Sequence, residues 1–198
     1  MKKWSLYFLS IFVIGICSCT NSNSYSKSKS DVKDTLYNDN IQGMFYDTPF
    51  GASKEVVIKN FEKHGFYVVT SVSTDALLHF CSNQGSIFTF GNMTWEMLDV
   101  TLYNDKFSSI RFMNASKDKA SAIEQYDDLL SAISKKYDMM EQAPKDTTVY
   151  KVSVGYSKIK RIVAVACYRY ETVNKDIMQG VSLEYSDESF YDEVSDEL

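Results

Sequence analysis

The sequence predicts an α+β fold of two layers, in which an antiparallel sheet carries helices on one face. Two segments, 53–64 and 117–137, have apolar residues at helical spacing. Between and after them lie short runs of alternating apolar and polar residues, which are typical of strands. The predicted order is therefore helix, strand meander, helix, strand meander.

The first predicted helix has signals at both ends. Ser53 is an N-cap candidate that can accept a hydrogen bond from an amide of the first turn, and Gly65 follows the last turn. The inward stripe consists of Val57, Ile58 and Phe61. Three short strands are predicted next, at 66–72, 77–81 and 86–91.

A hairpin and a second helix follow. Apolar residues alternate along both strands of the hairpin, with a turn at 104–106 between them. These residues are Leu98, Val100 and Leu102, then Ile110 and Phe112. Ser116 is the cap candidate of the second helix, whose apolar face consists of Ile123, Tyr126, Leu130, Ile133 and Tyr137. Three further strands are predicted at 150–156, 161–170 and 180–186.

Residues 1–18 have the layout of a secretory signal peptide. Lys2 and Lys3 precede an apolar run that ends at Ile16. A helix that crosses the bilayer core needs about 20 apolar residues, so this run is short for a permanent membrane span. The sequence therefore predicts export of the remaining chain.

Cys19 is the predicted lipid attachment site. The stretch Ile16-Cys17-Ser18-Cys19 resembles the lipobox of bacterial lipoproteins, in which a small residue directly precedes the acylated cysteine. Cys17 fits less well because the bulky Ile16 precedes it. A secreted protein that retains or loses both cysteines is the alternative. Acyl chains such as palmitate would hold the protein in the cell envelope, and we expect the periplasmic face of the outer membrane.

The mature chain divides into three predicted parts. Residues 19–43 are rich in serine and too polar to bury a core, which predicts a flexible tether. Residues 44–187 are predicted to form a single α+β domain. Residues 188–198 contain acids and no base, which predicts a solvated tail.

The net charge and the sequence motifs argue against several classes of function. A net charge of −5 argues against nucleic acid as a partner, because that needs a concentrated basic face. The sequence contains no phosphate loop, dinucleotide fingerprint, EF-hand loop or nucleophile elbow. No catalytic, cofactor-binding or metal-binding residue is therefore assigned, and we do not expect an enzyme.

His79 and Cys81 support an alternative interpretation. They are two residues apart in a predicted strand, so their side chains share one face, and His64 offers a third group. A small envelope enzyme or a metal site could use them. The simpler interpretation is that His64 ends an exposed helix and His79 lines a strand.

Two further groups of residues are candidates for a role in structure or binding. Cys81 and Cys167 lie in apolar, strand-like runs, and they form either a disulfide or two buried free thiols. Met93, Trp95 and Met97 alternate, which places them on one face of a strand as a possible binding surface. The alternative is that Trp95 packs beneath a helix or at the sheet edge.

Two stretches carry a resemblance to a known group of proteins. They are TPFGASKEV (48–56) and FGNMTWEMLDVTLYNDKFSSIRF (90–112). Both resemble segments of small bacterial periplasmic lipoproteins with the fold of secreted β-lactamase inhibitor proteins and of the small lipoprotein of the outer-membrane barrel assembly machine. This resemblance implies a fold that binds other proteins and performs no chemistry, and it assigns no binding residue.

The expected function is that of a lipid-anchored, non-enzymatic envelope protein. Its predicted partners are the membrane, through the N-terminal lipid, and a protein or another envelope component. No cofactor and no nucleic acid are expected.

Overall fold

The computed structural model describes residues 37–38, 40–172 and 175–190. Strands account for 50 % of the structure and helices for 19 %. The predicted two-layer α+β fold with helices on one face is therefore wrong, because the described chain is mostly β and is dominated by a mixed nine-stranded sheet. Several strands have only two or three residues, which is too short for an alternating pattern to reveal them.

The described chain contains thirteen strands and two α-helices. The first half contains β1 (Tyr37–Asn38), β2 (Met44–Phe45), β3 (Thr48–Pro49), α1 (Lys54–Lys63), β4 (Phe66–Val68), β5 (Leu77–Ser82), β6 (Phe88–Phe90) and β7 (Met93–Trp95). The second half contains β8 (Met97–Tyr103), β9 (Lys106–Ser116), α2 (Lys119–Ile133), β10 (Met140–Gln142), β11 (Val149–Ser157), β12 (Arg161–Glu171) and β13 (Ile177–Asp187).

The large sheet has the strand order β1-β11-β12-β13-β9-β8-β5-β4, and β10 also pairs with β11. β1 runs parallel to β11, whereas the neighbours from β11 to β4 are antiparallel. β13 pairs with β9 along eight residue pairs and so joins the last three strands to the first meander. The remaining four strands form two separate hairpins, β2–β3 and β6–β7.

The prediction of α1 is confirmed, with one difference at its cap. The helix is flanked by Ser53 and His64, and Gly65 has a φ of +84°, which suits the left-handed end of a helix. The Ser53 hydroxyl donates to Glu55 Oε2 at 2.8 Å and makes no bond to a backbone amide of the first turn. Ser53 therefore marks the start of the helix but does not cap it in the predicted way.

α2 is shorter than the predicted segment 117–137. Its N-cap is Asp118, whose Oδ1 accepts from the Ser121 amide at 2.9 Å. Ser116, the predicted cap, belongs to β9 and donates its hydroxyl to Gln125 at 2.7 Å. Tyr137 is buried but lies beyond the end of the helix.

The predicted hairpin is confirmed as β8 and β9. Its two turn residues, Asn104 and Asp105, have φ values of 47° and 61°. Positive φ at both central residues is the type I′ geometry, whose twist matches that of antiparallel strands.

The core of the described chain is rich in aromatic side chains. Phe90 and Phe112 are stacked with ring centroids 4.1 Å apart, and Phe45 lies 6.4 Å from Phe112. α1 contributes Phe61 and α2 contributes Tyr126, whose hydroxyl lies 2.7 Å from the Ser153 hydroxyl of β11. Each such side chain stabilises the fold by about 1.5–3 kcal/mol through burial.

The described part of the folded chain begins before the predicted domain boundary at residue 44. Tyr37 and Asn38 pair with β11, and Ile41 is buried. The Asn38 side chain accepts from the Asp138 amide at 2.7 Å and donates to the Tyr156 carbonyl at 3.2 Å. Residues that the sequence assigns to the end of the tether are thus part of the sheet.

Candidate functional site

The large sheet has one face that contributes to the aromatic core and a second face opposite to it. Strand residues alternate between the two faces. In β12, for example, Val163 and Val165 belong to the core, whereas Ile162 belongs to a separate small cluster with Val152 and Val154. We call the side away from the aromatic core the second face.

Four ionisable residues lie side by side on the second face. They are His79 on β5, Asp99 on β8, Arg111 on β9 and Glu184 on β13, and we call them the polar array. His79 pairs directly with Asp99, Asp99 with Arg111, and Arg111 with Glu184. Each lies in its strand between two core residues, so the sheet register holds the array across four strands.

Asp99 is the centre of the array. Its side chain is 4 % exposed, its Oδ1 lies 2.5 Å from His79 Nδ1, and its Oδ2 accepts from Arg111 Nη2 at 3.2 Å. The side chains of His79 and Arg111 both reach solvent. The buried carboxylate therefore orients two partly exposed groups that can contact a ligand.

The Arg111 guanidinium lies in a strongly electrostatic environment. Burial alone would lower its pKa, but the charges of Glu184 and Asp99 more than offset that effect, so the pKa is raised. Its Nε is buried and has no hydrogen-bond acceptor in the described part of the chain. Arg111 therefore stays cationic and keeps unused donor capacity.

The surroundings favour the charged form of Arg111 but the neutral form of Glu184. Burial raises the pKa of its carboxyl, and the Arg111 charge and a hydrogen bond with Ser109 offset only part of that effect. The Glu184 carboxyl is therefore protonated more readily than an ordinary glutamate.

Two tyrosines extend the second face beside the array. A Cβ at Gly180 would lie 3.2 Å from the Tyr170 ring and 3.3 Å from the Tyr168 ring, so both rings lie over this glycine. Burial raises the pKa of Tyr168 to about 12, while the Arg111 charge and a hydrogen bond with Ser182 lower it by less. The missing side chain at 180 is what lets the two rings lie across β13.

Methionine and tyrosine also occupy the rim of the second face. Met97 is 37 % exposed and pairs with Met113 across β8 and β9. Tyr67 is exposed on β4 and pairs with Cys81. Arginine, tyrosine and methionine are enriched in protein contact surfaces. The second face therefore has the composition of an interface.

The predicted binding surface of Met93, Trp95 and Met97 does not form. β7 ends at Trp95, which is 1 % exposed and has its ring centroid 5.6 Å from that of Phe112. Met93 packs against the same core, and Met97 begins β8 on the second face. The break between the two strands at Glu96 separates the residues, and the alternative of a packed Trp95 is the arrangement found.

Both predicted cysteines have free thiols in the structure. Cys81 is exposed on β5, whereas Cys167 is buried in the core on β12. Three strands lie between β5 and β12 in the sheet, which corresponds to about 19 Å and exceeds the reach of a disulfide. Of the two possibilities that the sequence left open, the structure has free thiols, but only Cys167 is buried as that alternative expected.

The histidines are not brought together. His64 Nε2 lies 2.8 Å from Asp47 Oδ2 beside α1, while His79 and Cys81 share the second face on β5. No group of three or more metal-ligating side chains occurs within residues 37–38, 40–172 and 175–190. The partner of His79 is Asp99, which the sequence did not indicate.

The predicted signal peptide, Cys19 and most of the tether lie outside the described residues. Among the helices that the structure describes, none has the length and hydropathy needed to cross a membrane. Residues 188–190 of the predicted tail form a short turn of 3₁₀-helix, and its remaining residues are also outside the described chain.

No protein-family model matches this chain, and none of the curated proteins or solved structures compared with it is similar. The likeness to small periplasmic lipoproteins stays a prediction. A function for this chain is therefore inferred from the second face of the sheet and from the lipobox-like stretch that ends at Cys19.

Proposed function

We propose that the chain is a lipid-anchored, non-enzymatic protein of the cell envelope that binds a protein partner through the second face of its sheet. The anchor is supported by the lipobox-like stretch that ends at Cys19. The binding role is supported by one observation, the polar array among exposed tyrosine and methionine side chains on the second face.

We expect the polar array as a whole to contribute little to the free energy of unfolding. Desolvation of buried ion pairs offsets most of their attraction, and apolar residues of similar size are often equally stable in such positions. Four ionisable side chains in direct register are therefore better explained by recognition than by folding.

The size of the second face suits a protein partner. From β12 to β5 the sheet has five strands, which gives a width of about 20 Å at the usual strand spacing. The strands of this region have six to eleven residues and are about 20–36 Å long, so the face covers about 400–700 Å². This area approaches the roughly 800 Å² that a standard interface buries on each partner. The partner would offer an acid to the partly exposed Arg111 and a polar group to His79.

Site-specific photo-crosslinking in intact cells tests this function. A photoreactive amino acid at position 97 is expected to capture one recurrent partner, since Met97 lies on the rim of the second face. The same amino acid at position 128, exposed on α2, is the matched control. Equal capture at both positions, or none at position 97, contradicts the proposed function.

A second candidate function is an envelope enzyme that uses His79 and Cys81. Asp99 binds Nδ1 of His79 and leaves Nε2 for chemistry, as the carboxylate does in nucleophilic enzymes. The test is the rate at which iodoacetamide alkylates Cys81 across pH. An enzyme would show fast alkylation that falls in His79→Ala, whereas unchanged, slow alkylation excludes a base role for His79.

A further inference from the structure

We propose that two copies of this chain form a dimer in which β4 of one copy pairs antiparallel with β4 of the other, around a two-fold axis at Val68. The pairing extends the large sheet from one copy into the next. This inference concerns the edge of the sheet and goes beyond the proposed function, which concerns the second face.

The outer side of β4 is open in the described chain. β4 ends the strand order of the large sheet and pairs there with β5 alone. The Asn83 amide donates to the Gly65 carbonyl at 2.7 Å, and the Val69 amide donates to the His79 carbonyl at 2.8 Å. Backbone polar groups alternate in direction along an antiparallel strand, so the amide and carbonyl of Val68 point away from β5. These two groups can pair with a further strand.

The sequence of this edge lacks most of the features that prevent strands from pairing. Natural sheets protect their edges with charged side chains, proline or bulges, or they keep the edge strand short. The segment FYVVTSVST (66–74) contains no charged residue and no proline. Tyr67 and Val72 in this segment are 47 % and 49 % exposed. Only the short length of β4 limits the pairing, so a dimer needs a second contact beside the strand.

An open groove lies beside β4 on the side of the aromatic core and provides room for that contact. Its volume is about 720 Å³, and its apolar lining includes Ile58 of α1, Val68 of β4 and Leu78 of β5. Ile58 precedes Gly65 by seven residues of mostly helical chain, and Val68 follows it by three residues of extended chain. Both therefore lie about 10 Å from the turn at the usual rises of helix and strand. A two-fold axis at Val68 is thus level with Ile58.

The face of α1 that lines the groove is complementary to itself. Lys54, Ile58 and Glu62 follow one another at intervals of four residues and form one row along the helix. A two-fold axis level with Ile58 inverts this row, so Lys54 of each copy faces Glu62 of the other. An isologous dimer needs this kind of match. The row therefore favours a second copy of this chain over an unrelated strand.

Lys54 has an acidic neighbour within its own copy. Its Nζ donates to Asp75 Oδ1 at 2.9 Å. The Asp75 side chain is fully exposed, and ion pairs in such positions contribute little. A lysine ammonium has three donors, so Lys54 can bind Glu62 of the second copy and keep Asp75.

The dimer has a consequence for the second face. Tyr67 is exposed on that face at the outer edge of the sheet. Pairing at β4 places Tyr67 of both copies at the junction and joins the two second faces into one surface. The area open to a binding partner is then about twice that of a single copy.

Symmetric disulfide trapping tests the pairing at Val68. The two Cα atoms of a hydrogen-bonded antiparallel pair are about 5.5 Å apart, which is within the range of disulfides. Val68→Cys is made in the full mature chain carrying Cys19→Ser and Cys81→Ser. Val72→Cys is the matched control, because Val72 is more accessible but lies in the turn after β4. Under mild oxidation we expect Val68→Cys to form disulfide dimers at least about tenfold faster, since pairing raises the effective concentration of its thiols.

Sedimentation velocity measures the oligomeric state without any crosslink. The mature chain carrying Cys19→Ser is studied under reducing conditions from about 10 μM to 1 mM, a range that covers weak complexes. We expect an equilibrium between monomer and dimer. Val68→Pro should shift it to monomer and keep the fold, because proline is tolerated at an edge where its missing amide faces solvent. Circular dichroism checks the fold, and Val68→Lys is the second variant if the proline variant unfolds.

Charge reversal tests the row on α1. Glu62→Lys brings Lys54 of one copy against the lysine introduced in the other and should weaken the dimer. Lys54→Glu combined with Glu62→Lys inverts the whole row and should restore it. Sedimentation velocity measures both changes, and a double variant as weak as the single one overturns the contact between the two α1 helices.

The remaining outcomes are equally decisive. Equal rates of disulfide formation at positions 68 and 72, or a wild-type chain that is monomeric at every concentration, overturn the dimer. A folded Val68→Pro variant that still dimerises overturns the assignment to β4. A monomer in which the Val68 amide resists hydrogen exchange overturns the dimer in favour of a strand from the same chain. None of these measurements uses a binding partner, so a negative result refutes the dimer and not the proposed function.

Discussion

Asp99 and Arg111 face each other across the β8–β9 hairpin because the ladder shifts register by one residue. A ladder counted regularly back from the turn would put Ile110 opposite Asp99. The shift lies beside Ser108, whose hydroxyl donates to the Thr101 carbonyl at 3.2 Å. The irregularity thus aligns a buried carboxylate with a cation and keeps Ile110 in the core.

Asp99→Ala is expected to destabilise the protein by about 1–3 kcal/mol, because it removes the carboxylate that bonds both His79 and Arg111 and leaves only Glu184 to compensate the Arg111 charge. Urea unfolding followed by circular dichroism measures the change. The triple variant Asp99→Leu with Arg111→Met and Glu184→Gln should recover most of the loss, since it also removes the carboxylate that the Arg111 charge compensates. If the single variant were as stable as the wild type, Asp99 would not be the structural centre of the polar array.

Trp95→Ala and Met97→Ala are expected to differ strongly although the two residues are neighbours in sequence. Loss of the buried indole leaves a cavity and should cost about 3–5 kcal/mol. Loss of the exposed Met97 side chain should change the free energy of unfolding by no more than about 0.5 kcal/mol. Urea unfolding of both variants measures the two changes, and similar values would contradict the separation of these residues.

Local features of this fold could be predicted from the sequence, whereas the distant pairings could not. α1 and the β8–β9 hairpin follow from neighbouring residues, namely Gly65 at the helix end and Asn104-Asp105 at the turn. The pairing of β1 with β11 joins Tyr37 to Tyr156. Such a contact depends on the whole sheet and leaves no signal in either segment. This is why the α+β fold class predicted from the sequence is wrong.

The candidate site shows the same limit. The sequence indicates His79 as a candidate chemical group, but its partner Asp99 lies on another strand, and the register between β5 and β8 decides their contact. Arg111 faces Asp99 only through the shift beside Ser108. In the sequence, the signal of this site is one ionisable residue within each of four apolar strands. The strand register brings these residues together, and the sequence does not reveal that register.

Cys81 and Cys167 should react with thiol reagents at very different rates. Cys81 is exposed, and Cys167 is buried in the core, where burial raises the pKa of its thiol. Ellman's reagent should therefore titrate one thiol in the native mature chain carrying Cys19→Ser and two thiols in denaturant. Cys81→Ser is the control and should show none before unfolding. Two reactive native thiols, or none, would contradict the free-thiol arrangement.

Glu184 should make the protein less stable as pH rises. Its folded pKa lies above its ordinary value of 4.5 because burial disfavours the carboxylate. Between the ordinary and the raised pKa, the folded chain holds a proton that the unfolded chain has lost, so stability falls as pH rises through that window. Glu184→Gln stays neutral and should lose this dependence, becoming more stable than the wild type above the window.

Urea unfolding at a series of pH values from about 4 to 8 measures the effect of Glu184→Gln across the window of the raised pKa. Glu124→Gln, which lies on the exposed side of α2, is the matched control. The control should follow the wild-type profile, because its carboxyl is solvated in both states. Arg111 and Asp99 act on the Glu184 carboxyl and are present in both variants. Parallel profiles for Glu184→Gln and the wild type would mean that the Arg111 charge fully compensates the buried carboxyl, and the array would then behave as a balanced ion pair at every pH.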